Sequence, residues 1–272
     1  MSLRGHRIWV VGAGFLGSVL AEACREEGAH VLTIDPAAVA NLRGSAADEA
    51  VLRHALTRMV PDIVFCCTAT HGGTPEDYRQ AYLVPAQNLN RMLSGTRVVF
   101  CSSTSVYAGR KGETVTEASP AQADSERARI LLEAEQVVLN GGGVVARLAP
   151  LYGPERCELV RRFMNGLPCL PGEDSRVLNY LHVEDAADAL MLLGTQAWLQ
   201  DGLYNVCGES FSKKEIYDRL ESIFGLEREP ESTEPSARGV SDMRVDCSRM
   251  LALGWEPICT VEELAREWKV EA

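Results

Sequence analysis

The chain has 272 residues, 46% of them hydrophobic, and a formal net charge of −11 at pH 7. That length suits one large domain, or a nucleotide domain with a small partner lobe, around a buried core. The acidic balance argues against nucleic acid as a partner, no apolar run approaches the roughly 18 residues of a membrane span, and the first apolar stretch reads as a strand rather than an export signal.

In chain order, Arg7–Val11 predicts a first strand. The glycine loop Gly12-Ala13-Gly14-Phe15-Leu16-Gly17 follows and opens a helix over Phe15–Glu27 that stops at Gly28. A second strand, Ala29–Ile34, ends on Asp35, 18 residues after Gly17. Strand, glycine loop, helix, strand, acid is the order a dinucleotide site needs. Gly12 allows the tight turn, Gly14 lets the backbone approach a pyrophosphate, and Gly17 lets the helix pack closely. The helix N-terminus offers free N–H groups and a positive dipole end to the phosphates. Phe15 and Leu16 lie in its first turn. A carboxylate at Asp35 can accept hydrogen bonds from ribose hydroxyls and repels a 2′-phosphate, which favours NAD over NADP.

Next comes the short segment Gly44–Asp48, whose acid Asp48 can approach the adenine. A helix over Glu49–Met59 and a buried strand over Asp62–Thr68 follow. Small residues at that strand end, Thr68, Ala69 and Thr70, let a cofactor ribose pass close by. His71 reads as a surface loop residue. A helix over Pro75–Leu93 and a strand over Arg97–Cys101 lead to Ser102 and Ser103. A helix over Ser125–Leu139 and a strand over Val144–Leu148 complete the alternation. Val- and Ile-rich strands separated by helices imply a doubly wound parallel α/β sheet of Rossmann type, with ligands beyond the strands' carboxyl ends.

After Pro150 the alternation weakens. Prolines 154, 168 and 171 and glycines 153, 166 and 172 predict irregular structure. Helices over Val183–Leu193 and Lys213–Phe224, a strand over Leu203–Val206 and an exposed loop over Glu227–Gly239 complete the reading. Residues 1–150, with 179–207 returning to them, form the expected NAD-binding domain. Residues 151–178 and 208–272 form the expected small C-terminal substrate lobe. Nine cysteines occur without a CxxC pair and five histidines without HxxxH spacing, so no metal site is expected. Reduced thiols and a cytoplasmic home are the simplest reading.

Several of these segments together resemble the extended short-chain dehydrogenase/reductase superfamily, of the nucleotide-sugar epimerase and dehydratase type. The resemblance covers nearly the whole chain. It rests on the glycine loop, Ser102-Ser103-Thr104-Ser105-Val106-Tyr107, and Arg147–Pro154 against RxxNxYGP. It rests also on Asn179–Asp185 against (D/N)FIHVDD, on Tyr204-Asn205-Val206, and on Leu253-Gly254-Trp255 with Pro257. It implies NAD, a small-molecule substrate of the nucleotide-sugar kind, and a homodimer through helices 75–93 and 125–139.

The superfamily's catalytic YxxxK is missing. Counting back from Glu133 puts Ser125 at the tyrosine position and Arg129 at the lysine position. In this respect the chain looks most like the YeeZ-type atypical branch. An alkyl hydroxyl at Ser125 is a far weaker acid than a phenol. The guanidinium of Arg129 stays protonated; it can hold the nicotinamide ribose but cannot relay a proton. Ser103 takes the family's catalytic Ser/Thr position, and Tyr82 is either a replacement phenol or an aromatic filling the space beside the small Ser125. Tyr107 and His182 read as structural. Arg161, Arg162 and Arg176 either meet a diphosphate or are solvated. The two leading readings are an NAD-dependent oxidoreductase or epimerase with a degraded catalytic pair, and an NAD(H)-binding sensor without turnover. A structural protein with a decayed cleft is the third.

Overall fold

The computed structural model describes residues 3–37, 39–70, 72–107, 112–167, 175–197, 199, 201–228 and 242–271. His71, Pro168, Pro171, Gly172 and most of the polar stretch after Glu227 lie outside them.

The apolar run Arg7–Val11 forms β1, buried from Ile8 onward. The loop that follows hands the chain to α1 (Phe15–Glu26), then β2 (His30–Asp35), β3 (Leu42–Arg43), α2 (Glu49–Arg58) and β4 (Ile63–Cys66). α3 (Pro75–Tyr78) comes next, then a π-helical segment over Arg79–Leu83, α4 (Val84–Met92) and β5 (Arg97–Ser103). β6 (Glu113–Val115), α5 (Glu126–Asn140) and β7 (Val144–Leu148) follow. The remaining chain gives β8 (Leu151–Tyr152), α6 (Glu158–Met164), β9 (Val177–His182), α7 (Val183–Thr195) and β10 (Leu203–Val206). It closes with β11 (Glu209–Ser212), α8 (Lys213–Phe224), β12 (Met243–Val245), α9 (Ser248–Ala252) and α10 (Val261–Glu271).

Seven strands pair in the order β10-β7-β5-β4-β1-β2-β3, all parallel. Chain order runs outward in both directions from β1 and β4, so the topological switch point lies between them. β4 and β7 are buried along their whole length, as continuous Val/Ile-rich strands must be when helices cover both faces. α1 packs beside α7 and α4 beside α5, and right-handed crossovers place these pairs on opposite faces. This is the Rossmann-type architecture expected from the sequence.

The helix expected over Pro75–Leu93 is not uniform. Pro85 has no N–H to return to the Ala81 carbonyl, and the π-helical turn over Arg79–Leu83 sits where that bond is missing. The freed carbonyl accepts the Thr68 hydroxyl at 2.5 Å. The helix expected from Ser125 begins instead at Glu126, because the Ser125 hydroxyl caps it by accepting the Ala128 N–H at 3.1 Å.

A second apolar cluster gathers Tyr152, Leu159, Val160 and Phe163 with Phe211, Tyr217, Leu220, Val261 and Leu264. Met243, Val245, Met250 and Trp255 pack instead into the main core. Two buried polar side chains fasten these late segments. Asn179 donates to the Met243 carbonyl at 2.7 Å and accepts the Val245 N–H at 3.1 Å. Asp185 accepts the N–H groups of Ile258 and Cys259 at 3.0 and 3.1 Å. Among the described residues, no helix is long and apolar enough to cross a membrane.

Candidate active site

The loops after β1, β4 and β5 leave the same edge of the sheet, around the switch point. In the first, Gly12 has φ +92°, and a Cβ there would lie 2.7 Å from the Cys67 carbonyl carbon and the Thr68 nitrogen. A Cβ on Gly17 would fall 1.8 Å from the Gly12 carbonyl oxygen. These two glycines are therefore fixed by the fold. Gly14 is different: a Cβ there meets nothing within 4 Å. Gly14 is also the N-cap of α1 and supplies no side chain, and the first turn of the helix holds no acid. The leading N–H groups of α1, from Phe15 and Leu16 on, face a space that an anion suits.

Asp35 ends β2 and holds this loop. One carboxylate oxygen accepts the Ala13 N–H at 2.8 Å and the other the Ala37 N–H at 2.7 Å. A carboxylate has about four acceptor positions, so two backbone bonds leave capacity for ribose hydroxyls. Asp48 caps α2 through the Ala50 N–H at 2.8 Å. The buried Asn88 of α4 donates to the Ala46 and Ala47 carbonyls at 3.0 and 3.1 Å. It thereby sets the loop that carries Asp48. Sequence reasoning passed over Asn88; its only signal was an amide among apolar neighbours on a helix.

After β4, Thr68 is tied to Ala81 as above, Ala69 is exposed, and the Thr70 N–H donates to the Tyr82 hydroxyl at 3.3 Å. Tyr82 also stacks edge-on against Phe100 of β5, with ring centroids 6.4 Å apart. Burial raises its pKa above the ordinary phenol value, the opposite of what an activated proton donor needs. It thereby links the π-helical turn to the β4 loop.

At the end of β5 the two serines separate. The Ser102 hydroxyl is buried and donates to Glu135. The half-buried Ser103 hydroxyl accepts the Ser105 N–H at 3.2 Å, and its own proton meets no acceptor among the described residues. Tyr107 is fully buried, donates to the Asn205 side-chain oxygen at 2.8 Å and lies 4.8 Å from the Arg147 guanidinium carbon. His182 caps α7 by accepting the Glu184 N–H at 3.4 Å. Both side chains are thus engaged within the fold, in keeping with a structural role.

The register of the missing YxxxK changes with the structure in view. Glu133 is exposed, whereas Glu135 is buried and pairs with Arg147 at 2.6 Å, Arg147 being the first residue of the RxxNxYGP-like stretch. Anchoring on the buried glutamate puts Arg127 at the tyrosine position and Leu131 at the lysine position. Either register lacks the catalytic pair. Ser125 and Arg129 are exposed at the start of α5, and Arg129 forms no ion pair among the described residues. Arg127 lies 5.8 Å from the Tyr78 ring centre, and Leu131 is buried.

The lobe cations also divide. Arg161 and Arg162 both pair with Glu158, at 2.6 and 3.8 Å. Arg176 pairs with no carboxylate among the described residues, and its buried Nε has no partner. His182, Glu184 and Cys259 could between them offer three metal ligands. His182 accepts the Glu184 N–H through Nδ1, and burial pushes the Cys259 thiol up to about 12.

A profile of the NAD dependent epimerase/dehydratase family matches residues 8–207. No curated protein matches the sequence. The chain is similar in structure to the dTDP-glucose 4,6-dehydratase of Bacillus anthracis in complex with NAD, with a TM-score of 0.80 at 18% identity, over 97% of this chain and 95% of that one. It is similar to the UDP-glucose 4-epimerase of Thermotoga maritima with UDP-glucose, at 0.78 and 21%, over 96% of each chain. The UDP-glucose 4-epimerase of Thermus thermophilus in complex with NAD gives 0.78 and 23%, again over 96% of each. At these identities the likeness is one of fold.

Proposed function

The chain belongs to the NAD dependent epimerase/dehydratase family, and from that membership we propose that it binds NAD(H) in the glycine-loop crevice. We propose further that it acts as an oxidoreductase or epimerase on a polyhydroxylated small molecule of the sugar-nucleotide class, in a reducing cytoplasm. The observation that carries this reading is the contrast within the glycine loop. Gly12 and Gly17 are demanded by packing, while Gly14 faces open space at an uncapped helix N-terminus. Folding does not need a glycine there; a diphosphate does.

When bound, the nicotinamide supplies hydride chemistry. The chain's own residues then have these tasks. The α1 N-terminus holds the diphosphate and Asp35 the adenosine ribose. Ser103 donates its free proton to a substrate oxygen and orients it. Arg129 offers a fixed positive charge at the start of α5. With no phenol–lysine pair in α5, general acid–base help worth about 10²–10⁴ in rate must come from water or substrate.

The missing pair favours one other reading, a dinucleotide-binding sensor without turnover. Calorimetric titration with NAD⁺, NADH, NADP⁺ and NADPH tests the common ground. Binding of NAD(H) in preference to NADP(H) is the expected result; no binding to any of the four rejects both readings. A screen of nucleotide sugars, read both at the NADH band and by chromatography of the sugar product, then separates them, since an epimerase returns its hydride and leaves no net NADH; the sensor gives neither signal, and the enzyme gives one that Ser103→Ala lowers.

A further inference from the structure

The turn Gly153–Arg156 joins the main sheet to the small lobe, and it is docked on the glycine-loop helix. Its ends exchange backbone hydrogen bonds, Gly153 N–H to Arg156 at 3.2 Å and Arg156 N–H to Gly153 at 3.0 Å. Pro154 and Glu155 form its corner, and Glu155 takes φ +58°. A left-handed side-chain-bearing residue persists only where the surroundings over-determine it. Here they do. A Cβ on Gly153 would lie 3.1 Å from the Phe15 ring and 2.9 Å from Val183, so the turn presses on Phe15, the first residue of α1. The same turn holds the Arg156 guanidinium carbon 4.5 Å from the centre of the Phe15 ring. Arg156 forms no ion pair or side-chain hydrogen bond among the described residues, in a chain of net charge −11. Some exposed cations, such as Arg53, Arg91 and Arg161, find a carboxylate, while Arg156 shares its lack of one with Arg129 and is set apart by its place on Phe15.

We propose that Arg156 is a clamp on the cofactor's diphosphate, reaching from the lobe junction across Phe15 to the anion seated on the α1 N-terminus. The proposal rests on the NAD(H) reading and adds a residue to it. Free backbone N–H groups approach the diphosphate from one side, and a planar guanidinium supplies paired charge-assisted donors from the other. Stacking on Phe15 orders the side chain in advance, so less freedom is lost on binding. The strained turn at Glu155 then has a purpose: it aims the cation. Arg156 is thus a cofactor-binding residue, and the clamp also couples the lobe junction to cofactor occupancy.

The test compares wild type, Arg156→Ala and Arg156→Lys, by calorimetry, against NAD⁺, ADP-ribose, adenosine and UDP-glucose. The side chain is exposed, so both variants should melt close to wild type. Arg156→Ala should weaken NAD⁺ and ADP-ribose about tenfold or more and flatten their salt dependence. Arg156→Lys should recover part of the loss, and adenosine, without phosphate, should be unaffected. Unchanged NAD⁺ affinity in Arg156→Ala overturns the proposal while leaving the cofactor reading intact. Loss confined to UDP-glucose overturns it too, by giving the cation to the substrate. Wild type that binds no dinucleotide overturns the reading beneath it.

Discussion

A Cβ at Gly17 would fall 1.8 Å from the Gly12 carbonyl oxygen, whereas one at Gly14 meets nothing within 4 Å. Backbone cannot yield to backbone there, so Gly17→Ala should destabilise by about 3 kcal/mol, as overpacking does, and should lower the midpoint of urea unfolding. Gly14→Ala should leave that midpoint within about 0.5 kcal/mol of wild type, since its φ of −77° suits any residue. It should nonetheless weaken NAD⁺ at least about tenfold, because the methyl fills the approach to the phosphates. Equal damage to stability from both substitutions would refute this division. Glu155 offers the reverse case. Its left-handed φ of +58° costs about 1–2 kcal/mol in an L-residue. Glu155→Gly should therefore raise stability by about 0.5–1 kcal/mol after the entropy of a freer unfolded chain is subtracted. The glycine spacing was legible in the sequence because all three glycines lie within six residues, in the order a dinucleotide loop requires. Arg156 was not legible, because Phe15 lies far from it along the chain and only the folded turn brings them together.

On the scale of single elements, α5 shows what periodicity can and cannot tell. Ile130, Leu131, Ala134 and Val138 form its buried stripe, and Glu135 lies within that stripe while Glu133 does not. The buried stripe and the motif spacing thus point to different glutamates. The consequence is energetic. Glu135 joins α5 to β7 through Arg147 and to β5 through Ser102. Glu135→Leu leaves a buried guanidinium unpaired and should cost about 3–5 kcal/mol, measured by chemical denaturation. A cost under about 1 kcal/mol would show that Arg147 finds another partner. β11 gives a pH-dependent case. Glu209 accepts the Val261 N–H at 2.7 Å at the start of α10, and burial raises its pKa above 4.5. The folded state then holds this proton more tightly than the unfolded chain. Its contribution is therefore greatest below the unfolded value and is lost as pH rises through the raised one. Glu209→Gln keeps an acceptor for Val261 and should reduce the fall in stability above pH 4.5. An unchanged pH slope would mean that water relieves the buried charge.

For the whole molecule, the parallel sheet was readable because long apolar strands alternate with helices. β3, β6, β8, β9, β11 and β12 were not: most are only two to four residues long, and all lie outside the strand–helix alternation and owe their existence to partners distant in sequence. The same distant pairing decides how the two apolar clusters behave. Phe211, Tyr217 and Leu264 belong to the lobe cluster, yet Met243, Val245 and Trp255, which lie between α8 and α10 in the chain, belong to the main core. The chain thus passes from lobe to core and back. Asn179 and Asp185, buried at the seam, tie β9 to β12 and α7 to the segment before α10. Neither cluster can unfold without exposing polar groups that the other satisfies, so calorimetry should show one cooperative transition. NAD⁺ at about 100 times its Kd should add about 2.7 kcal/mol to the stability of the whole. That should raise the single midpoint by roughly 5 °C, since contacts from both the glycine loop and the lobe junction report on one ligand. Two transitions, only the upper or lower of which moves with NAD⁺, would show that the seam does not couple the clusters. In Arg156→Ala the shift should shrink by the free energy of its lost affinity while the transition stays single. Splitting in that variant alone would mean that the arginine on Phe15 holds the lobe itself rather than the cofactor.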